Sequence, residues 1–209
     1  MSGFLVIWSD LADSDLTDWA HWMTREHAIE RLGIAGFRRC RIFRALTTRN
    51  SYVIVYDLDT PEVVASSDYV ARLNAPTPWS QRTMPKLKNF RRGGGHVTAR
   101  AGVGDGGVIA MLFSSAIADA ASVCGNAVSH DRIASAQVLS TDAAQTGIAT
   151  REKAMRSGDA SFETLVMIEG LDEDAIDAAC AALRASHREL ATSDAVLYGA
   201  CFSLAQESA

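Results

Sequence analysis

The sequence predicts an α+β chain that uses a β-α-β-β-α-β unit twice. Three observations carry that expectation. Short apolar runs rich in β-branched and aromatic residues alternate with stretches of helical periodicity, in the same order before and after residue 102. A glycine-rich stretch, AGVGDGG at 101–107, separates the two halves and reads as a hinge. Finally, a sheet with helices on one face must cover its other face, and a second copy of the same unit supplies the cover. The expected organisation is a unit over 1–101 and a degenerate second unit over 102–209, packed about a pseudo-twofold axis.

In the first half, FLVIW (Phe4–Trp8) reads as a strand. A helix follows over Asp15–Arg31, with Ser14 as N-cap and acids in its first turn, and Gly33 and Gly36 stop it. FRRCRIFRAL (Phe37–Leu46) and YVIVYDL (Tyr52–Leu58) are strands joined by the polar turn TTRNS. Thr60 and Pro61 open a second helix running to about Leu73. After NAPTPW comes a short helical or irregular stretch, then a strand near Gly94–Arg100. This is the ferredoxin-like order.

The second half repeats it with almost no identity. VIAMLFS (Val108–Ser114) is a strand, Ile117–Val128 a helix, and Ile133–Ser140 a strand. FETLVMIE (Phe162–Glu169) is a strand, Asp172–Ser186 a helix, and VLYGACFSL (Val196–Leu204) the last strand. All four tryptophans and three of the five histidines lie before residue 102, whereas alanine, serine and aspartate dominate after it. The first half is equipped for a ligand and the second reads as scaffold.

Composition narrows the function. Hydrophobic residues at 48% and charged residues at 22% fit a globular chain with a real core, and a net charge of -5 argues against nucleic-acid binding. The basic run KLKNFRR (Lys86–Arg92) reads as a solvated face. No apolar run is long enough to span a membrane, and the N-terminus lacks the pattern of a signal peptide. The four cysteines are scattered, which suits small buried hydrophobes in a reduced, cytoplasmic setting. No metal-ligand spacing, nucleophile elbow, phosphate loop or dinucleotide fingerprint occurs, so no metal or cofactor is expected. GGGH (Gly93–His96) instead lets a strand approach a neighbour closely.

The candidate chemistry centres on the first helix. Leu16, Ala20, Met23 and His27 share one face, which turns His27 inward with the apolar stripe. Histidine is the side chain suited to moving protons near neutral pH. Glu30, one turn on, is placed to orient the imidazole or to hold its proton. Trp19, Trp22, Met23 and Trp79 can wall a cavity of aromatic size. Tyr52 and Tyr56 share a strand face and can donate to a carbonyl or phenolate. The stiff PTPW segment presents Arg82 to an anion.

One stretch has a recognisable form. Trp22, Glu26, His27, Glu30, Arg31 and Leu32, then Gly36 and Phe37, then Pro76, Thr77, Pro78 and Trp79, resemble the EthD-like members of the dimeric α/β-barrel superfamily. Ala35 stands where those proteins usually carry proline. The resemblance covers roughly Phe4 to Arg92. It implies a ferredoxin-like barrel in which the chain's two units pair as a pseudo-dimer. It also implies a range of activities: cofactor-free monooxygenases, muconolactone-type isomerases, polyketide cyclases and dehydratases, and haem proteins.

Three functions stay open on this reading. The favoured one is a cofactor-independent lyase, isomerase or dehydratase acting by proton transfer on a small aromatic or polyketide-like molecule. His27 is then the general acid/base, with Glu30, Tyr52 and Arg82 assisting and Trp19, Trp22, Met23, Tyr56 and Trp79 holding substrate. The second is an oxygenase or peroxidase, cofactor-free or using haem on His27 or His96. The third is a non-catalytic small-molecule-binding module. The chain is expected to be a monomer or homodimer, with no nucleic-acid or membrane partner.

Overall fold

The computed structural model describes residues 2–156 and 158–206. Among them are the strands β1 (Gly3–Asp10), β2 (Phe37–Ala45), β3 (Ser51–Leu58), β4 (Lys88–Gly102), β5 (Val108–Ser114), β6 (Ile133–Thr141), β7 (Thr164–Gly170) and β8 (Ala195–Ala205). They close into one antiparallel barrel in the order β1-β3-β2-β8-β5-β7-β6-β4, with β4 returning to β1. Within that ring each half runs in the same order, β4-β1-β3-β2 and β8-β5-β7-β6.

Two long strands make the seams. β4 pairs with β1 through its first part, Lys88–His96, and with β6 through its second, Gly95–Gly102. β8 likewise serves both β2 and β5. This double duty explains why β4 starts well before the expected Gly94. KLKNFRR is therefore only partly solvated, since Phe90 and Arg92 are buried in the sheet. Gly93 and Gly95 permit the close passage: a Cβ on Gly93 would collide with the Phe162 ring, and one on Gly95 with the Ser140 carbonyl.

Period-two alternation sorts the side chains into layers. On β1, Phe4, Val6 and Trp8 fill the barrel interior, together with Val53, Val55, Met111, Leu139, Met167 and Tyr198. The indole of Trp8 donates to the Tyr198 hydroxyl at 3.1 Å, and Phe113 and Phe162 pack around it. A small barrel filled in this way is a core and not a channel. Arg41 on β2 reaches across to Glu169 on β7, its Nη1 lying 2.8 Å from both carboxylate oxygens, and so staples the two halves.

Helices cover the outer face of each sheet. In the first half α1 (Leu16–Trp22) continues through a π-helical turn, Met23–His27, into α2 (Ala28–Leu32). Ser14 lies in a 3-10 turn, Asp13–Asp15, and makes no cap. Pro61 opens a second 3-10 turn, and α3 (Ser67–Asn74) begins afresh after Ser66, whose hydroxyl accepts from Tyr69 N. α4 (Pro78–Thr83) is capped by Thr77. The connection between β6 and β7 carries two short helices, α6 (Ala143–Thr146) and α7 (Arg151–Ala154). The second half is covered by α5 (Ala120–Val128) and α8 (Glu173–Ser186).

Cys40, Cys124 and Cys180 are buried free thiols, whereas Cys201 is exposed, so the expectation of burial fails at the last. Among the described residues no helix is long and apolar enough to cross a membrane.

Candidate active site

A cavity lies between the first half's sheet and its helices. Its floor is the outer face of the sheet, with Ile7 and Ser9 from β1, Ile54 and Tyr56 from β3, and Phe90 and Arg92 from β4. Its wall is the helix over 16–32. Trp19, Met23, His27 and Arg31, spaced by four, all line it. In a regular helix turning about 100° per residue, twelve residues would carry Arg31 roughly 120° away from Trp19. The π turn, in which Ala28 N–H reaches back to Met23 O, widens the coil and offsets that drift.

The β6–β7 connection forms the roof. Its backbone is sewn to β4, with Arg92 N donating to Ala160 O and Ala160 N to Phe90 O, both at 2.9 Å. Arg151 N donates to Asn74 Oδ1 at 3.0 Å, which ties the connection to α3. It brings Glu152, Lys153 and Arg156 to the cavity. The expectation that the second half is only scaffold does not hold, because these three residues belong to it.

His27 is 5% exposed, lies tilted against Trp22 at 4.2 Å between ring centres, and has no hydrogen-bond partner for Nδ1. Burial, and then the charges of Arg31 and Arg156, hold its pKa well below the usual 6.5, so the imidazole is neutral at pH 7. Trp22 is itself fixed by donating to Ser80 Oγ at 3.2 Å. Tyr56, fully buried, also lacks a partner for its hydroxyl, and burial pushes its pKa well above 10. It is a neutral donor at any physiological pH.

Cations dominate the rest of the lining. Arg31, 2% exposed, places Nη2 at 2.7 and 2.9 Å from the two oxygens of Glu152 and leaves Nη1 unpartnered. Arg92 donates to the Tyr69 hydroxyl at 3.2 Å, and both guanidinium groups sit over that ring, at 5.7 and 5.9 Å. Arg156 stacks on Phe90 at 3.8 Å and pairs with Asp159 at 3.2 Å. Lys153 donates to the carbonyls of Thr146 and Ile148, and burial, with Arg92 nearby, lowers its pKa to about 8. Ser9 Oγ and Trp19 Nε1 are further buried polar atoms without partners. Unsatisfied polar atoms are rare in native cores, and their gathering around one cavity makes it the candidate site.

Of the residues singled out from sequence, Trp19, Trp22, Met23, His27 and Tyr56 line this cavity. Glu30, Tyr52, Trp79 and Arg82 do not. Glu30 turns toward α3 and pairs with Arg72 at 3.1 Å, and burial raises its pKa. Tyr52 shares the face of Tyr56 but lies four residues away, tilted against Trp19 at 4.4 Å beside a surface recess with Leu16, Arg44 and Asn50. Trp79 and Arg82 are both claimed by Asp18, through a 3.0 Å indole bond and 3.4 Å ion-pair contacts. The hydrogen bond from Arg82 is the main cause of the lowered Asp18 pKa. His96 sits on β4 away from the cavity. Among the described residues no cluster of His, Cys, Asp or Glu is arranged to hold a metal ion.

No protein-family model matches the chain, and no curated protein sequence does. Solved structures match along nearly its whole length. An anthrone oxidase-like protein has a TM-score of 0.59 at 10% identity, over 99% of this chain and 94% of that one. A candidate monooxygenase of Fusobacterium nucleatum subsp. nucleatum has a TM-score of 0.60 at 6% identity, over 98% and 94%. A candidate chlorite dismutase has a TM-score of 0.55 at 11% identity, over 97% and 96%. At such identities the likeness establishes the fold alone, an α+β chain closed into an eight-stranded antiparallel barrel. Nothing in it singles out the EthD-like members.

Proposed function

We propose that the chain is a small-molecule enzyme whose first chemical step is removal of a proton by His27. The carrying observation is a buried, neutral imidazole with an unpartnered nitrogen in a cavity lined by arginine. A neutral imidazole can accept a proton without first releasing one, and the anion formed beside it offsets the burial and positive charge that disfavour its conjugate acid. The anion that forms is stabilised by Arg31 and by the neutral Tyr56 hydroxyl, both donors already desolvated and fixed in place. Trp19, Trp22 and Met23 are the apolar walls. Glu30, Tyr52, Trp79 and Arg82 have no part in this reading. The substrate is a small phenol, enol or 1,3-dicarbonyl compound of aromatic or polyketide type, and isomerase, lyase or dehydratase chemistry needs nothing beyond the proton transfer.

A second reading shares that first step. The names of two similar structures, an anthrone oxidase-like protein and a candidate monooxygenase, favour reaction of the anion with dioxygen. Haem is a poor fit to the residues present. His27 lies tilted against Trp22 and is flanked by cations. We further read the halves 1–101 and 102–209 as tandem units of one barrel, on the ground of their shared strand order. The EthD-like affinity of the first unit rests on its motif.

The test is turnover of a panel of phenols and 1,3-dicarbonyls by wild type and His27→Gln, under air and under argon. The variant is expected to lose about 100-fold or more. Because the pKa of His27 is lowered and the neutral form is the active one, the acid limb of the wild-type profile should fall below pH 6.5. Turnover under argon selects the isomerase or lyase route, and strict oxygen dependence the oxygenase route. Unchanged turnover in His27→Gln would falsify the assignment of the base.

A further inference from the structure

The cavity holds an imbalance that the proton-transfer reading does not explain. Arg31, Arg92, Lys153 and Arg156 line it, against the single carboxylate of Glu152. Asp159 answers Arg156, which still leaves buried positive charge in excess. Buried charges are ordinarily paired, since an isolated one is costly to desolvate. The pairing of Arg31 is also half made. Both Glu152 oxygens sit on Nη2, and Nη1 has no partner. A guanidinium binds a carboxylate best through two parallel bonds from two nitrogens. Glu152 therefore fills the arginine without satisfying it.

Size points the same way. About 40 Å³ admits a few waters, while even benzene has needed an engineered cavity of roughly 150 Å³. An organic substrate must displace something, and the roof is the piece held by few bonds. Residues 142–156 rest on the Arg31–Glu152 pair, the Asn74 tether, the Asp142 N–Gly94 O bond at 2.9 Å and the contacts of Arg156 with Phe90 and Met84, with the two backbone bonds to Ala160 beyond them.

We propose that the cavity takes a small organic carboxylate, and that Glu152 keeps its place on Arg31 until the ligand arrives. The incoming carboxylate takes both nitrogens of Arg31, Glu152 leaves with residues 142–156 of the roof, and the space opens beside His27. This deepens the proton-transfer reading by naming the substrate class: a carboxylate whose neighbouring acidic C–H or O–H faces the imidazole. It also makes the roof a latch that the correct charge releases.

The probes are benzoate, phenylacetate and acetoacetate, each against its uncharged amide, titrated into the full chain and followed by calorimetry and by the fluorescence of Trp19 and Trp22. At least one acid should bind, with its amide at least about tenfold weaker. Glu152→Gln, which removes the internal competitor, should tighten the acid about tenfold. Asn74→Ala cuts only the tether to α3 and leaves the cavity charges intact. It should speed binding of the same acid, and it keeps the latch testable if Glu152→Gln fails to fold. Trypsin cleavage at Arg151 and Lys153 should rise when the acid is present.

Equal binding of acid and amide, or no binding of any acid by wild type and Asn74→Ala, overturns the carboxylate site. Weaker or unchanged affinity in Glu152→Gln, or unchanged binding rate in Asn74→Ala, overturns the latch. The base stands or falls separately: if His27→Gln turns over normally while acid binding behaves as described, the base assignment fails and the carboxylate site remains.

Discussion

The two halves follow one strand order, yet their helix layers are packed in opposite ways. In the second half, α5 and α8 lie on the sheet through Ala110, Ala127, Ala136, Cys124, Cys180, Ile176 and Leu183, all essentially inaccessible. Small residues let helix and sheet approach until no room remains. In the first half the corresponding layer is made from Trp19, Trp22, Met23, Phe37, Tyr56 and Tyr69. Around these rings a cavity of about 40 Å³ remains, and His27 and Arg31 bring polar atoms that apolar neighbours cannot satisfy. The same scaffold is closed by alanine on one side and held open by aromatic and charged residues on the other. A site needs the second kind of packing.

The largest expected effect separates the halves by charge. Arg31→Met leaves Glu152 buried without its partner, and breaking a buried ion pair in this way costs about 3–5 kcal/mol. The double variant Arg31→Met with Glu152→Leu should recover most of that loss, because no charge remains to be desolvated. Urea denaturation of wild type, both single variants and the double closes the cycle. A double variant no better than Arg31→Met would mean that the pair stabilises the roof through geometry beyond its charge.

This pair also marks where sequence reading stops. The strands, their order and the inward turn of the helix at Met23 and His27 follow from local periodicity. Arg31 does not: a charged residue beside Glu30 reads as surface, and only the carboxylate 121 positions away, brought by the β6–β7 connection, makes its burial tenable. The connection itself carries no strong periodic signal, so its helices α6 and α7 and its role as roof were invisible. Arg92 was hidden for another reason, since its run is rich in basic residues and only strand alternation distinguishes Arg92 from Arg91. The motif that carried the family resemblance has a plain structural use as well. Thr77 donates to Glu26 at 2.6 Å and accepts from Ser80 N, and Ser80 receives Trp22, so the two halves of the motif clamp α4 to the first helix. Trp79 and Arg82, expected at the cavity, are instead held outside it by Asp18.

A smaller effect tests the packing contrast directly. Ala127→Leu adds volume to a layer that has none to spare, and overpacking of this kind costs about 1–3 kcal/mol. Met23→Leu in the first layer conserves volume and should cost less than about 1.5 kcal/mol. Thermal melts of the two variants rank the layers. Similar losses would mean that the first layer is as tightly fitted as the second and that its cavity is not slack in the packing.

The smallest change is the most specific to the cavity. Ser9 lies on β1 between Trp8, which fills the barrel, and Asp10 at the strand's end, and alternation turns it outward onto the cavity floor. Its hydroxyl is buried and has no partner. A buried polar group left unsatisfied costs about 1–3 kcal/mol, so its removal in Ser9→Ala should stabilise the empty protein by about 1 kcal/mol. A structural serine would behave in the opposite sense, losing stability with its hydroxyl. If the hydroxyl is kept for a ligand, the same substitution should weaken binding of the preferred carboxylate while raising the melting temperature. The two readouts moving in opposite directions would distinguish a residue retained for binding from one retained for folding, and a drop in both would return Ser9 to the core.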